Sequence, residues 1–247
     1  MALKKPPYHK IERAFDFVDC GSLPMRKGEQ TRAAILAAAL ELAGGASLEG
    51  LTIGLIAQRL QMSKGGVFAH FGSREDLQLA VLKEYERRFI EDVLLPSLKE
   101  PRGLPRLQAM YSRWIDRGSI EIESGCVFVS GAVEYDDRPG PIRDLLVSMI
   151  RSWQRELVRA IKQAIEVGHL RPDTDAHQLV FAMYGLVLAL HHDARLMRSK
   201  DSVVRGRTGF AQLIDAHRTK PAALTTPRPR GGKDKERING TVRRSVA

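Results

Sequence analysis

The sequence predicts an all-α fold, with a three-helix N-terminal unit followed by a larger C-terminal helical bundle. Apolar residues recur at the three- and four-residue spacing of a helix along most of the 247-residue chain. Hydrophobic residues make up 43% of the chain, which is enough to form a core. One apolar stretch, residues 126–133 (CVFVSGAV), has the composition of a buried strand. No second stretch offers it a partner, which favours a helix there.

The first predicted helix spans about residues 27–43. Its buried stripe would consist of Ile35, Ala38, Ala39 and Leu42. Gly44 and Gly45 follow, and glycine is typical of the position just past the end of a helix. We therefore expect the helix to end before this pair.

Residues 52–71 predict two short helices joined by a turn of about three residues. Thr52 precedes the first helix and Ser63 precedes the second, and both hydroxyls can cap exposed N–H groups. The apolar stripe of the first helix consists of Ile53, Ile56, Ala57 and Leu60. This spacing is typical of a helix-turn-helix that places its second helix in the DNA major groove, and it also fits an ordinary surface hairpin of helices.

The start of the second short helix has residue types suited to close approach to DNA. Ser63, Lys64, Gly65 and Gly66 form its first turn, the part of a recognition helix that reaches base edges. Each glycine weakens the helix by about 1 kcal/mol relative to alanine. In exchange, neither glycine has a side chain that would keep the backbone away from DNA.

Gly72 interrupts the chain, and Ser73 to Asp76 restart it as a capping box. A long connecting helix follows and should end before Pro96. Its apolar positions are Leu77, Val81, Tyr85 and Phe89.

Four longer helices are predicted in the C-terminal half, over about residues 104–123, 142–167, 174–199 and 202–217, with a turn-rich loop over residues 134–141. Residues 179–190 are apolar nearly all round, which requires burial on more than one side. We expect a homodimer formed through the last two helices. Gly206 and Gly209 in the last helix would let another helix approach closely.

The predicted organisation therefore has five parts: a flexible N-terminal segment (1–25), a helix-turn-helix domain (26–72), a connecting helix (73–97), a ligand-binding and dimerisation domain (98–218) and a disordered basic tail (219–247). The net charge is +10, and the tail carries eight Lys or Arg against two Asp or Glu, so it holds six of those ten charges. The overall charge is thus weak evidence for DNA binding by the folded part. The N-terminal segment is either a disordered leader or a basic arm that follows phosphates.

The stretch from about residue 28 to residue 82 resembles the DNA-binding domain of the tetracycline repressor (TetR) family. The matching residues are Thr31, Arg32, Ile35, Leu36, Thr52, Ile56, Ala57, Ser63, Lys64, Gly65, Val67, Phe68, His70, Phe71, Ser73, Glu75 and Leu77. Residues 131–141 and 185–196 also resemble one branch of the family, which has a short helix over residues 126–133. Two departures are Gln61, where the family usually has glycine, and Phe68, where tyrosine is common and would supply a phosphate contact.

The resemblance implies a dimeric transcriptional regulator, a repressor that binds a palindromic operator and is released by a small-molecule effector. The residues expected to contact double-stranded DNA are Thr52, Ser63, Lys64, Gly65, Gly66, Phe68, His70 and Arg74. The residues expected to line an effector site in the bundle are Met110, Trp114, Phe128, Met149, Trp153, Met183, Tyr184 and Val187. For any single one of these eight residues, a plain core position is the more common role.

Other kinds of site have little support in the sequence. His191, His192 and Asp193 invite a metal hypothesis, but adjacent histidines on a helix point about 100° apart and would need Glu134 or Asp136 from elsewhere. We predict no metal and no cofactor. Because no convergent catalytic set is found and Cys126 lacks a His/Asp partner, we predict that the protein is not an enzyme.

Cys20 and Cys126 form no C-x-x-C pair, so we expect free thiols in a cytoplasmic protein. There is no apolar signal segment at the N-terminus, and the longest apolar run, 12 residues, is too short for a membrane span of about 20. One alternative function remains, a helical small-molecule binding protein that has lost specific DNA recognition.

Overall fold

The computed structural model describes residues 26–219, and this part of the chain is helical, with one isolated β-bridge between Leu170 and Arg218. The helices are α1 (Lys27–Ala46), α2 (Ile53–Arg59), α3 (Lys64–Phe71), α4 (Arg74–Phe89), α5 (Leu95–Leu98), α6 (Leu104–Ser124), α7 (Val127–Tyr135), α8 (Pro141–Glu166), α9 (Ala176–Arg195) and α10 (Ser202–His217). The predicted all-α fold is confirmed, including a helix at α7 rather than a strand. The predictions for residues 1–25, Cys20 and the tail beyond Thr219 lie outside the described residues.

The caps predicted from local sequence are present in the N-terminal unit. The Thr52 hydroxyl accepts a hydrogen bond from the Leu55 N–H (3.2 Å), and the Ser63 hydroxyl accepts one from the Gly66 N–H (3.0 Å). Gln61 adopts the positive φ of 54° that the turn requires. The Met62 N–H donates to the Ala57 carbonyl (2.8 Å), which closes α2 as a Schellman motif.

The predicted end of the first helix is wrong, because α1 continues through Gly44 and Gly45 to Ala46. A Cβ atom added at Gly44 would collide with the carbonyl oxygen of Ser124, and one added at Gly125 would collide with the carbonyl oxygen of Gly44. The glycines therefore do not terminate the helix. Gly44 and Gly125 allow backbone contact between the end of α1 and the junction of α6 and α7.

The connecting helix also runs further than predicted, past Pro96 to Leu98. A π-helical turn, Ile90–Leu94, joins α4 to α5, and the Leu95 N–H donates to the Ile90 carbonyl. Proline is tolerated in the first turn of a helix because its missing N–H is not needed there. The π-helical turn restarts the helix at α5 and places Pro96 in that first turn.

The C-terminal helices α6, α8 and α9 pack around one core that is continuous with the buried faces of α1 to α4. The last helix packs closely on α9, as its glycines predicted. A Cβ atom at Gly209 would lie 2.7 Å from Cδ2 of Leu186, and one at Gly206 would lie 2.9 Å from Cδ1 of Leu190. Helix α7 extends to Tyr135, two residues into the predicted loop. Within residues 26–219, no helix is both long and apolar enough to cross a bilayer.

Candidate nucleic-acid interface and ligand cavity

The first turn of α3 is exposed to solvent, and the opposite face of the helix is buried. Val67 and Phe71 pack into the core, whereas Ser63, Lys64 and Gly65 are exposed. A Cβ atom added at Gly65 would have no neighbour within 4 Å, so the space beside it is open. This turn has the accessibility that contact with a DNA groove requires.

Lys64 lies beside the start of α2. The position of a Cβ atom at Gly54 is 3.5 Å from Cε of Lys64 and 3.8 Å from Oγ1 of Thr52. The lysine and the threonine, predicted separately as DNA contacts, therefore lie on the same side of the helix pair. Together they form a polar edge next to the open first turn of α3.

Phe68 and His70 occupy the rest of α3. Phe68 is 53% exposed, one of the large apolar side chains that this unit leaves in water. It follows Lys64 by four residues, so the two share one face of the helix. His70 is half-buried, and its ring centroid lies 6.4 Å from that of Phe71.

Arg74 has partners within the protein. Its Nε donates to the Leu51 carbonyl (3.0 Å), its guanidinium also donates to the Glu49 carbonyl, and a side-chain nitrogen lies 3.3 Å from Oε1 of Glu49. A phosphate contact by Arg74 would have to compete with these bonds.

Glu49 is the centre of a polar network that the sequence did not reveal. Tyr135 donates to its carboxylate (2.7 Å), Arg138 lies 3.4 Å from the same oxygen, and the Glu49 N–H donates to the carboxylate of Glu134 (2.8 Å). The hydrogen bond from Tyr135, with the nearby charges of Arg74 and Arg138, lowers the pKa of Glu49. The network ties the α1–α2 loop to α4 and α7 across more than 80 residues of sequence.

A cavity of about 30 Å³ lies between α4, the π-helical turn, α7 and α8. Phe128, Met149 and Trp153, three of the eight predicted effector residues, line it together with Phe89. This volume has room for about two water molecules and is far below the several hundred Å³ of typical ligand pockets. An organic effector would have to enlarge it.

The remaining predicted effector residues lie in the core beyond this cavity. Met110, Met183 and Val187 are fully buried. The rings of Trp114 and Tyr184 extend the aromatic cluster, with the Trp114 centroid 5.5 Å from that of Trp153 and 4.9 Å from that of Tyr184.

The indole N–H of Trp153 is buried and has no hydrogen-bond partner. Leaving such a donor unpaired costs about 1–3 kcal/mol. Trp153 also lines the cavity.

A second group of polar side chains is buried nearer to α9. Tyr85 donates to Glu121 (2.7 Å) and lies 3.5 Å from Sγ of Cys126. Arg117 Nε is 3.1 Å from the Glu121 carboxylate, and its guanidinium lies 4.8 Å from the centroid of the Tyr85 ring. His191 completes the group, with its nitrogen, the Cys126 sulfur and a Glu121 oxygen all within 4.8 Å of one another.

The structure separates the histidines that the sequence placed side by side. His191 is buried, whereas His192 is exposed and Asp193 accepts a hydrogen bond from Ser202 (2.9 Å). Burial, with the charge of Arg195, lowers the pKa of His191 to about 4, and burial raises the pKa of the Cys126 thiol to about 12. The adjacent trio is therefore not one cluster. Sequence reasoning missed the actual neighbours of His191 because they lie about 70 residues away on another helix.

Comparisons with known proteins follow the same division of the chain. Residues 35–81 match the family described as bacterial regulatory proteins, tetR family, and residues 103–210 match the tetracyclin repressor-like C-terminal domain. A curated relative, the transcriptional regulator AcuR from Cereibacter sphaeroides, is 24% identical over 134 residues. That match covers 52% of this chain and 60% of the relative, so it spans less than two thirds of AcuR.

Solved structures share the fold. A TetR transcriptional regulator from Chloroflexus aurantiacus superposes with a TM-score of 0.70 at 23% identity, covering 78% of this chain and 98% of that one. AibR, solved with isovaleryl coenzyme A and operator DNA, has a TM-score of 0.58 at 23% identity over 75% of this chain and 97% of AibR. With both family domains matched in order over more than half of its length, the chain belongs to the TetR family of DNA-binding transcriptional regulators.

Proposed function

We propose that this protein is a repressor that binds a palindromic operator as a homodimer and leaves it when a small organic effector enters the C-terminal bundle. The observation that carries the proposal is the exposed first turn of α3, fixed from beneath by Val67 and Phe71. Ser63, Lys64, Gly65 and Gly66 would approach base edges. The DNA backbone would be contacted by Thr52, Phe68, His70 and Arg74.

The dimer is supported by apolar side chains on the last two long helices. Phe181 is 74% exposed and Val204 is 63% exposed in the single chain. Large apolar side chains left exposed on a single chain are candidates for an association surface. A two-fold axis there would present two copies of α3 to successive major grooves, about one helical turn apart, which predicts an operator with two-fold symmetry.

The effector is supported by the cavity beneath α4. An apolar or aromatic ligand that accepts a hydrogen bond from the Trp153 indole would occupy it. Since the cavity is small, binding would push α4 and the π-helical turn outward, and α4 leads directly into the helix-turn-helix unit. AibR, which shares this fold, was solved with isovaleryl coenzyme A and operator DNA, and this supports a ligand site and a DNA-binding site in one chain.

The alternative of a binding protein without DNA recognition has less support. Gln61, which stands where the family usually has glycine, adopts a left-handed backbone conformation with a φ of 54°. The turn therefore forms without glycine at that position. The other departure, Phe68, removes one hydroxyl but leaves an exposed aromatic ring on the same face as Lys64.

The test is binding of the full chain to labelled DNA from the region flanking its own gene, at two salt concentrations, with a scrambled duplex of equal length as control. Preference for the native duplex that persists at the higher salt supports the proposal, because non-specific phosphate binding weakens steeply with salt. Equal binding to both duplexes contradicts it for that region, and tiling fragments of the genome then locates or excludes an operator elsewhere.

A further inference from the structure

Three buried side chains from different parts of the bundle bring together donor atoms that neither DNA binding nor the aromatic cavity uses. Glu121 lies on α6, Cys126 at the junction of α6 and α7, and His191 on α9. Their exposed fractions are 8%, 7% and 3%. A carboxylate oxygen, a sulfur and an imidazole nitrogen lie within 4.8 Å of one another.

One polar atom of this group has no hydrogen-bond partner among the described residues of the protein. Nδ1 of His191 is buried without a hydrogen-bond partner. Buried polar atoms are nearly always paired, so an unpaired one calls for an explanation such as an unseen ligand or ion. The position of a Cβ atom at Gly118 is only 3.4 Å from Nε2 of His191, so a small residue on α6 gives the imidazole its space.

We propose that Glu121, Cys126 and His191 bind a divalent, thiophilic metal ion, for which Zn²⁺ is the best fit. Zinc takes sulfur, nitrogen and carboxylate oxygen ligands in one tetrahedral site, whereas Ca²⁺ and Mg²⁺ take oxygen ligands. Three protein ligands leave the fourth position to water or another small ligand. On binding, the thiol releases its proton to solvent and the thiolate bonds to the ion.

The distances suit a site that closes on its ion. Bonds of about 2.0–2.3 Å in tetrahedral geometry place ligand atoms about 3.3–3.8 Å apart. The present maximum of 4.8 Å means that the groups must close by about 1 Å. We expect side-chain rotations of Cys126 and Glu121 to supply that movement.

The surroundings balance the charge of a bound ion. Tyr85 donates to Glu121 and orients it, as outer-shell groups do around metal ligands. Arg117, the cation beside the Glu121 carboxylate, is also paired with Asp92 at 2.7 Å. When Glu121 and the Cys126 thiolate neutralise the ion, Asp92 still neutralises Arg117.

An ion can reach the site from solvent. An open groove beside α9 has Cys126 and His191 in its wall, together with Val133 and Leu188. An access path of this kind is one requirement for a metal site that loads after folding.

The first measurement is a Co²⁺ titration of the reduced, tag-free full chain, followed by Zn²⁺ competition. We expect one ion per chain, the intense visible bands of tetrahedral Co²⁺ and a thiolate-to-metal charge-transfer band, all removed by Zn²⁺. Cys126→Ser and His191→Ala should weaken binding at least about 100-fold, since even outer-shell changes cost 10–100-fold. Cys20→Ser and His192→Ala, the other thiol and the adjacent exposed imidazole, are matched controls that should bind normally.

Two outcomes overturn the proposal: no thiolate band in the wild-type chain, or a band that survives Cys126→Ser and disappears in Cys20→Ser. Because Cys126 and His191 are buried, circular dichroism is used to check that their variants fold. X-ray absorption of Zn²⁺-loaded Cys20→Ser protein needs neither variant. One sulfur scatterer with nitrogen and oxygen neighbours supports the site, and a shell without sulfur excludes it.

Discussion

Hydrogen bonds position many individual side chains in this protein. A short stretch of sequence predicts such a bond only when both partners lie within that stretch. Thr52 and Ser63 were recognised as caps because each bonds an N–H three residues ahead. Glu49 and Glu121 were missed because Tyr135, Cys126 and His191 come from other elements. Three of the eight predicted effector residues line the cavity. Apolar periodicity identifies which face of a helix is buried, but it does not identify which part of that face borders a cavity.

At the residue scale, Lys64→Ala should weaken operator binding and lower the slope of log affinity against log salt by about one, as expected for the loss of one phosphate contact. The measurement is fluorescence anisotropy at several salt concentrations. Lys162→Ala, an exposed lysine on α8, should leave affinity and slope unchanged. An unaltered slope for Lys64→Ala would remove this residue from the interface.

A second residue-scale prediction concerns Glu84, which bonds Arg87 at 2.8 Å through both oxygens and Arg88 at 2.8 Å. The hydrogen bonds from Arg87, and then those from Arg88, lower the pKa of Glu84 from 4.5 to about 2. Between pH 2 and pH 4.5, the folded state therefore binds fewer protons than the unfolded state. The resulting stabilisation is complete above pH 4.5 and is lost as the pH falls towards 2.

Glu84→Gln should accordingly reduce the free energy of unfolding by about 1 kcal/mol at pH 7, a figure discounted for the exposed arginines. The difference from wild type should be smaller at pH 4. Urea unfolding at the two pH values measures it. Glu166→Gln, an exposed carboxylate on α8, should show no such pH dependence, and a pH-independent effect at Glu84 would contradict the assignment.

At the scale of elements, the starts of helices followed from sequence more reliably than their ends. A start depends on a cap and the next few residues. The ends of α1 and of the connecting helix instead depend on what packs beside them. Gly44 and Pro96 are ordinary stop signals, yet tertiary contact at Gly44 and the π-helical turn before Pro96 carry the helices further.

The contact between Gly125 and Gly44 makes a sharp prediction about the α6–α7 junction. Gly125→Ala should destabilise the fold by several kcal/mol, because alanine is strained at φ 91° and its Cβ would overlap the Gly44 carbonyl. Thermal unfolding measures the loss. Gly28→Ala, whose Cβ would have no neighbour within 4 Å in α1, is the control and should be tolerated. Equal stability of the two variants would contradict the close contact.

At the scale of the whole molecule, the sequence pointed to a dimer through the helix that is apolar nearly all round. The fold is consistent with that prediction, because Phe181 and Val204 remain exposed in the single chain. The partner surface itself depends on how two copies fit together. Periodicity within one chain cannot supply that information.

Phe181→Asp should convert the dimer into monomers and weaken operator binding, since each monomer would then hold one half-site. Light scattering measures the molecular mass, and fluorescence anisotropy measures the affinity for the operator. Ile120→Asp is a matched control, as Ile120 on α6 is also 74% exposed, and it should remain dimeric. A Phe181→Asp protein with dimer mass would place the interface elsewhere.

The N-terminal unit is joined to the bundle by more than the covalent chain. The backbone of Gly44 contacts Gly125, the Glu49 network reaches Tyr135 and Arg138, and the buried faces of α1 and α4 belong to the core of the bundle. No flexible joint therefore separates α4 from the described part of the N-terminal unit. A displacement of α4 by an effector would be carried directly to the recognition helix instead of being absorbed between the two domains.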